Sequence, residues 1–146
     1  NPIDPIRGTQ FHASNLLTGI HGHGFAEATD TISPVTGDYL YCWVYIDPTN
    51  PPTTLMVTWT SEVGEHRAYW SDISPCEWSW GVEGTRDQYH AGGLPATGEW
   101  VRLEVSAYSL DLVGRTISRM AFLLAHNNSA TQSRAYWDAA GILRAP

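Results

Sequence analysis

Lysine is missing altogether: all eight basic residues are arginine, set against fifteen acids, for a formal charge of -7. Charged residues make up 16% of the chain, below the roughly 25% of ordinary soluble domains, so neutral polar side chains must cover much of the surface. A nucleic-acid backbone or an anionic membrane asks for a concentrated positive field, and the balance here runs the other way. Long apolar runs are lacking too. None reaches the ~18 residues of a membrane helix, and no charged-then-apolar signal segment opens the sequence. Asn1 rather than Met stands first, and the expectation is of a processed chain or an excised domain, in keeping with export. Cysteine is limited to Cys42 and Cys76; one disulfide is open to them, and spacing does not say whether their Cα atoms approach closely enough. There is no G-x-S-x-G elbow, no Walker loop and no zinc-type cysteine pair.

What the chain does have is amphipathic aromatics: seven Trp and seven Tyr against three Phe. Phe and Leu suffice for a core, whereas Trp and Tyr join a flat apolar face to a polar handle, which suits half-wet binding surfaces. At 146 residues the default is one domain with a core of its own, spanning 1-146 with residues 1-10 as a proline-bearing entry arm.

Periodicity points to an all-β fold. No helical period of adequate length appears; short segments rich in Thr, Val, Tyr and Trp alternate between Gly, Pro, Asp and Asn turns. Tyr39 to Asp47 is the clearest strand, with Leu40, Cys42, Val44 and Ile46 on one side and Tyr39, Tyr41, Trp43 and Tyr45 on the other. Both sides are apolar enough to be covered, which predicts a central strand. Pro48 to Pro52 ends it, since proline supplies no ladder donor. Leu55 to Thr60 and Glu65 to Ser71 flank the turn Ser61-Glu62-Val63-Gly64 and read as a hairpin. Further strands are expected at Trp100 to Val105, Ile117 to Ala125 and Ala135 to Leu143, with a turn or one short helical turn over Tyr108 to Val113. Residues 72 to 98 show little period, and irregular segments of that length are usually functional. The architecture expected is a two-sheet antiparallel β-sandwich of jelly-roll type.

Some of these segments are familiar as a set. Gly98-Glu99-Trp100-Val101-Arg102-Leu103-Glu104-Val105 and Ala135-Tyr136-Trp137-Asp138-Ala139-Ala140-Gly141-Ile142 are similar to two strands that recur in the galactose-binding-like jelly-roll superfamily, which includes many carbohydrate-binding modules. The block from Asp47-Pro48 to Glu65-His66-Arg67-Ala68-Tyr69-Trp70 also resembles uncharacterised domains appended to large bacterial surface proteins. The resemblance covers residues 24 to 143 and implies an opening strand beside the last one. It also implies a structural calcium at Asp138, with oxygens from the N-terminal segment such as Asp4 and Gln10. The alternative for Asp138 is a hydrogen bond to a turn or to Arg7. The chain departs from the family pattern in having no acidic cluster near its start.

Sugar recognition needs flat aromatic faces beside hydrogen-bonding groups that read hydroxyl directions. Residues 66 to 90 hold that mixture. Tyr69, Trp70, Trp78, Trp80 and Tyr89 supply rings, while His66, Arg67, Arg86, Asp87, Gln88 and His90 supply donors and acceptors. The bland alternative splits these between core and surface, with Trp78 and Trp80 plugging one end. Glu62 and Glu65 invite a paired-carboxylate hydrolase, although exposed turn glutamates are usually just solvated. His21 and His23 fall on one side of an extended segment, a spacing that begins a metal site, yet no third ligand is defined and a Gly-rich loop is favoured. Asn127-Asn128-Ser129 matches a glycosylation acceptor. The function expected is noncatalytic glycan binding at an extracellular or cell-surface location. A filament or sheath subunit assembled by self-association, with the entry arm donated to a neighbour's open sheet edge, is the alternative, and a small polysaccharide hydrolase or lyase stands third.

Overall fold

A computed structural model describes residues 3-8, 11-25, 31-76, 78 and 80-146, Phe25 by its backbone alone. Among these residues there is no helix, and the chain forms β1 (His12–Ala13), β2 (Leu17–Thr18), β3 (His21–Phe25), β4 (Tyr39–Ile46), β5 (Thr54–Ser61), β6 (Gly64–Ser71), β7 (Tyr89–Gly92), β8 (Trp100–Ser106), β9 (Ile117–Ala125), β10 (Gln132–Ser133) and β11 (Ala135–Leu143). They assemble into a four-stranded sheet in the order β1-β11-β4-β8, a five-stranded sheet in the order β3-β9-β5-β6-β7, and a small β10-β2 pair. All pairings are antiparallel except β6 with β7.

The all-β expectation holds, and alternation explains it. In β4, Leu40, Cys42, Val44 and Ile46 are buried while Tyr41, Trp43 and Tyr45 on the other side are half-buried and Tyr39 exposed; with β11 and β8 as neighbours, the strand is central. The β5–β6 hairpin closes at Glu62-Val63, with Gly64 at φ 116°, a backbone that side chains rarely adopt. β1 lies against β11 through His12 opposite Trp137, so an opening strand does sit beside the last.

One apolar cluster takes side chains from both large sheets. Val44 and Trp137 come from one, Val57, Trp59, Phe122 and Leu124 from the other, and Phe122 stacks on Trp137 at 4.8 Å. Burying a large apolar side chain of this kind is worth about 1.5–3 kcal/mol relative to leaving it in water. Tyr108 to Val113 resolves as turns, not a helical turn, and inserts Leu110 and Leu112 into the same cluster. His66 fixes that turn from within: its Nδ1 lies 2.6 Å from the Leu110 carbonyl and its Nε2 2.7 Å from Ser61 Oγ. The carbonyl can only accept, so Nδ1–H donates to it and the serine hydroxyl donates to Nε2. Burial holds the His66 pKa below its ordinary value.

The sequence offered no strand in residues 72 to 98, yet β7 is there. It runs parallel to β6 at the sheet edge, Ala68 opposite Tyr89 and Tyr69 opposite His90. Cys42 and Cys76 sit in different apolar clusters, and no disulfide joins them.

Candidate functional site

Register decides which side chains of the five-stranded sheet leave the core. Leu55, Val57 and Trp59 of β5 face inward, so Met56 and Thr58 face out, as do their partners Tyr69 and Arg67 on β6 and Leu123 and Ala121 on β9. On β3 the matching positions are Gly22 and Gly24, opposite Leu123 and Ala121. A Cβ on Gly22 would stand 2.0 Å from the Phe122 carbonyl oxygen, so the close approach of β3 to β9 demands glycine, and this side of β3 carries no side chains.

Part of the outer face is roofed by the irregular segment after β6. Cys76 and Trp78 pack over Met56, Tyr69 and Ala125 as a second apolar cluster. Beside this roof lies a groove of about 480 Å³ lined by Thr58, Glu65, Arg67, Trp80, Ala121 and Leu123.

Trp80 forms its wall. The ring stacks at 5.7 Å on Trp78, which is only 4% exposed, and itself keeps 38% of its surface open. The Arg67 guanidinium lies 5.2 Å from its centroid, a cation–π contact. The backbone is held as firmly: Trp80 N–H donates to Gln88 Oε1 at 3.1 Å, and Arg67 Nη1 donates to the carbonyls of Trp80 and Asp87 at 3.4 and 3.2 Å. Gln88 in turn donates to Glu83 at 2.9 Å, and the Tyr69 hydroxyl donates to the other Glu83 oxygen. Burial, reinforced by that carboxylate, pushes the Tyr69 pKa up to about 12. Gly81 completes the turn; a Cβ there would stand 2.3 Å from Asp87 Cβ.

Of the ring and hydrogen-bonding residues expected to bind, Arg67 and Trp80 line the groove, and Tyr69, Trp78, Asp87 and Gln88 support them. His66 and Trp70 do not belong with them. They occupy the alternate positions of β6 and are buried on the core side, His66 fully. Tyr89, opposite Ala68, packs against the same core. Arg86 points away along the loop, donating to the Val63 carbonyl at 3.2 Å and standing 4.0 Å from Asp111. His90 stacks on Tyr69 at 4.8 Å and bonds the Ser71 carbonyl.

The carboxylates weighed for hydrolysis part company. Glu65 lines the groove and pairs with Arg67, whereas Glu62 accepts from the Thr116 amide at 2.9 Å, a bond that holds its carboxyl below the usual range. A general acid needs the opposite shift. No family model matches the chain, and no curated protein or solved structure does. The assignment therefore rests on the chain's own chemistry.

Asp138 and Asp4 were the positions implied for calcium. Asp138 Oδ2 accepts the amides of Ile6 and Arg7 at 2.7 and 3.0 Å, and Oδ1 accepts that of Ala139 at 2.7 Å. Asp4 contributes its backbone carbonyl, which accepts from Trp100 Nε1 at 2.8 Å. N–H donors converge where a hard cation would need six to eight oxygens, so among the described residues this donor set does not fit the ion; Gln10 lies outside them. Asp138 thus takes the role of a turn and arm anchor. His21 and His23 do share a side of β3, but His21 bonds the carbonyls of Gly19 and Ser133, and among the described residues no three His, Cys, Asp or Glu gather as a metal site.

A second set of rings lies on the outer face of the four-stranded sheet. Tyr45, Trp100, Tyr136 and Phe11 meet edge to face there, and Arg102 stands 5.9 Å from the Trp43 ring while pairing with Glu104 at 2.7 Å. The arm of residues 3-8 docks on this face of its own subunit, through Asp4 and Asp138.

Sequence reasoning missed Thr58, Ala121 and Leu123. The available signal was parity: they are the outward positions of strands whose inward positions are Val57, Phe122 and Leu124.

Proposed function

We propose that this chain is a noncatalytic, extracellular glycan-binding domain whose two large sheets pack as a jelly-roll sandwich, with its ligand in the groove beside Trp80. The observation that carries the reading is the groove wall. A part-exposed indole is braced from behind by Trp78 and fixed at both backbone ends, next to an arginine and a carboxylate, over a floor of small residues. Rigid amphipathic rings beside a few placed polar groups are what pyranose recognition asks for. The strand motifs similar to those of carbohydrate-binding modules support the same reading, as does the pairing of the opening strand with the last.

Affinity electrophoresis through gels containing a panel of polysaccharides tests it. Retardation of the wild-type chain on at least one polymer, lost in Trp80→Ala, is the expected result. No retardation on any polymer, together with long particles in negative-stain micrographs of the protein alone, would replace it with the filament reading. Release of reducing ends or unsaturated products from the panel would replace it with an enzyme.

A further inference from the structure

Two polar atoms at the groove floor have no partner. Thr58 is 5% exposed and lines the groove, yet its Oγ1 is buried without a hydrogen bond, and so is Nε of Arg67. These residues stand directly opposite each other in the β5–β6 register, on the outer face. Buried polar atoms are nearly always satisfied, and one site with two orphans asks what completes it. Nε–H can only donate, while a threonine hydroxyl can donate or accept. A group that accepts from Nε–H and either accepts from or donates to the threonine answers both, and a sugar hydroxyl is such a group.

Charge narrows the class. Glu65 and Arg67 are the charged residues lining the groove, and they pair with each other. The terminal nitrogens of Arg67 already serve Glu65 and the carbonyls of Trp80 and Asp87, so its fork is not offered to an anion. Arg119 is exposed one register step beyond, opposite Thr60, outside the lining.

We infer that Thr58 and the Arg67 Nε–H together read one hydroxyl of an uncharged sugar, with Trp80 as the wall beside it. This rests on the glycan-binding reading. Because both orphan atoms are sealed from solvent, a hydroxyl reaches them only as the Arg67 side chain shifts against the Trp80 ring it stands over, so binding alters indole emission.

The test compares wild type, Thr58→Val and Thr58→Ser on xylan, galactomannan and mixed-linkage glucan, each beside its carboxylated derivative. Calorimetry gives the affinity, and thermal melts of the free proteins give the stability. Thr58→Val keeps the shape and removes the hydroxyl. It is expected to melt at or above the wild-type temperature, since deleting an unsatisfied group costs nothing, and to bind about tenfold more weakly. Thr58→Ser is expected to restore the affinity. The emission change on binding is expected to vanish in Trp80→Phe. Unchanged affinity in Thr58→Val, a sharp loss of its melting temperature, or tighter binding of a carboxylated polymer than of its parent would each overturn the inference while leaving glycan binding in place. If wild type binds none of the polymers, the glycan reading fails and this inference with it.

Discussion

On the four-stranded sheet, Phe11, Tyr45, Trp100 and Tyr136 meet at centroid distances between 5.5 and 6.0 Å, all steeply tilted; on the five-stranded sheet, Trp78 and Trp80 lie nearly parallel at 26°. Edge-to-face rings satisfy one another, edge against face, and the docked arm uses the Trp100 N–H as well. Trp80 has been arranged otherwise. Its neighbours hold its backbone and one side while a third of its surface stays open over the groove. A count of rings is therefore a poor guide to a binding face. What matters is whether the floor beside a ring is filled, and here Thr58 and Ala121 leave it unfilled.

Exchanging one ring from each face breaks the comparison most directly. Trp80→Ala is expected to abolish polysaccharide retardation and to cost under about 1 kcal/mol in urea denaturation. Trp100→Ala, losing its partners and the arm's anchor, is expected to cost about 2 kcal/mol and to leave retardation intact. Equal effects of the two on both readouts would erase the distinction.

Next in size is acid. His66 and Tyr69 share β6 yet face opposite sides. The buried imidazole is held neutral, with its pKa lowered by desolvation, so only the unfolded chain takes up a proton near the ordinary value of about 6.5. Stability is therefore complete above that pH and falls as pH drops below it. Urea midpoints at pH 7.5 and 5.5 should differ in that direction, and the difference should shrink in His66→Gln. The proton on Tyr69, whose pKa lies at about 12, should leave this range untouched.

Smaller changes sharpen the contrast locally. Gly81→Ala forces Asp87 aside from a backbone at φ 155° and should weaken retardation several-fold while lowering the melting temperature. Ala139, at φ 46°, occupies a left-handed backbone in the β11 bulge, so Ala139→Gly is expected to stabilise by up to about 1 kcal/mol. Chelation with EGTA should leave the melting temperature where it was, because Asp138 is committed to amides.

Much of the fold was legible because alternation is local: β4, β8, β9 and β11 can be read from their own residues, to within a residue at either end. The parallel β7 could not be, since Tyr-His-Ala-Gly carries no period and its partner is fixed only once the loop has folded back. The site was half legible. Composition drew attention to residues 66 to 90, but His66, Trp70 and Tyr89 turned out to face the core, and Thr58 and Ala121 looked like ordinary strand residues. Which side of a strand lines a groove is decided by what its neighbours bury, and that information is not local.

The bulge at Asp138 carries a practical consequence. One carboxylate grips the leading segment through Ile6 and Arg7, and that segment in turn touches the Trp100 indole through Asp4. Attachment or release of the segment thus reports itself optically, so its rate can be timed in the untagged molecule from the part of the seven-tryptophan emission change that Trp100→Phe removes.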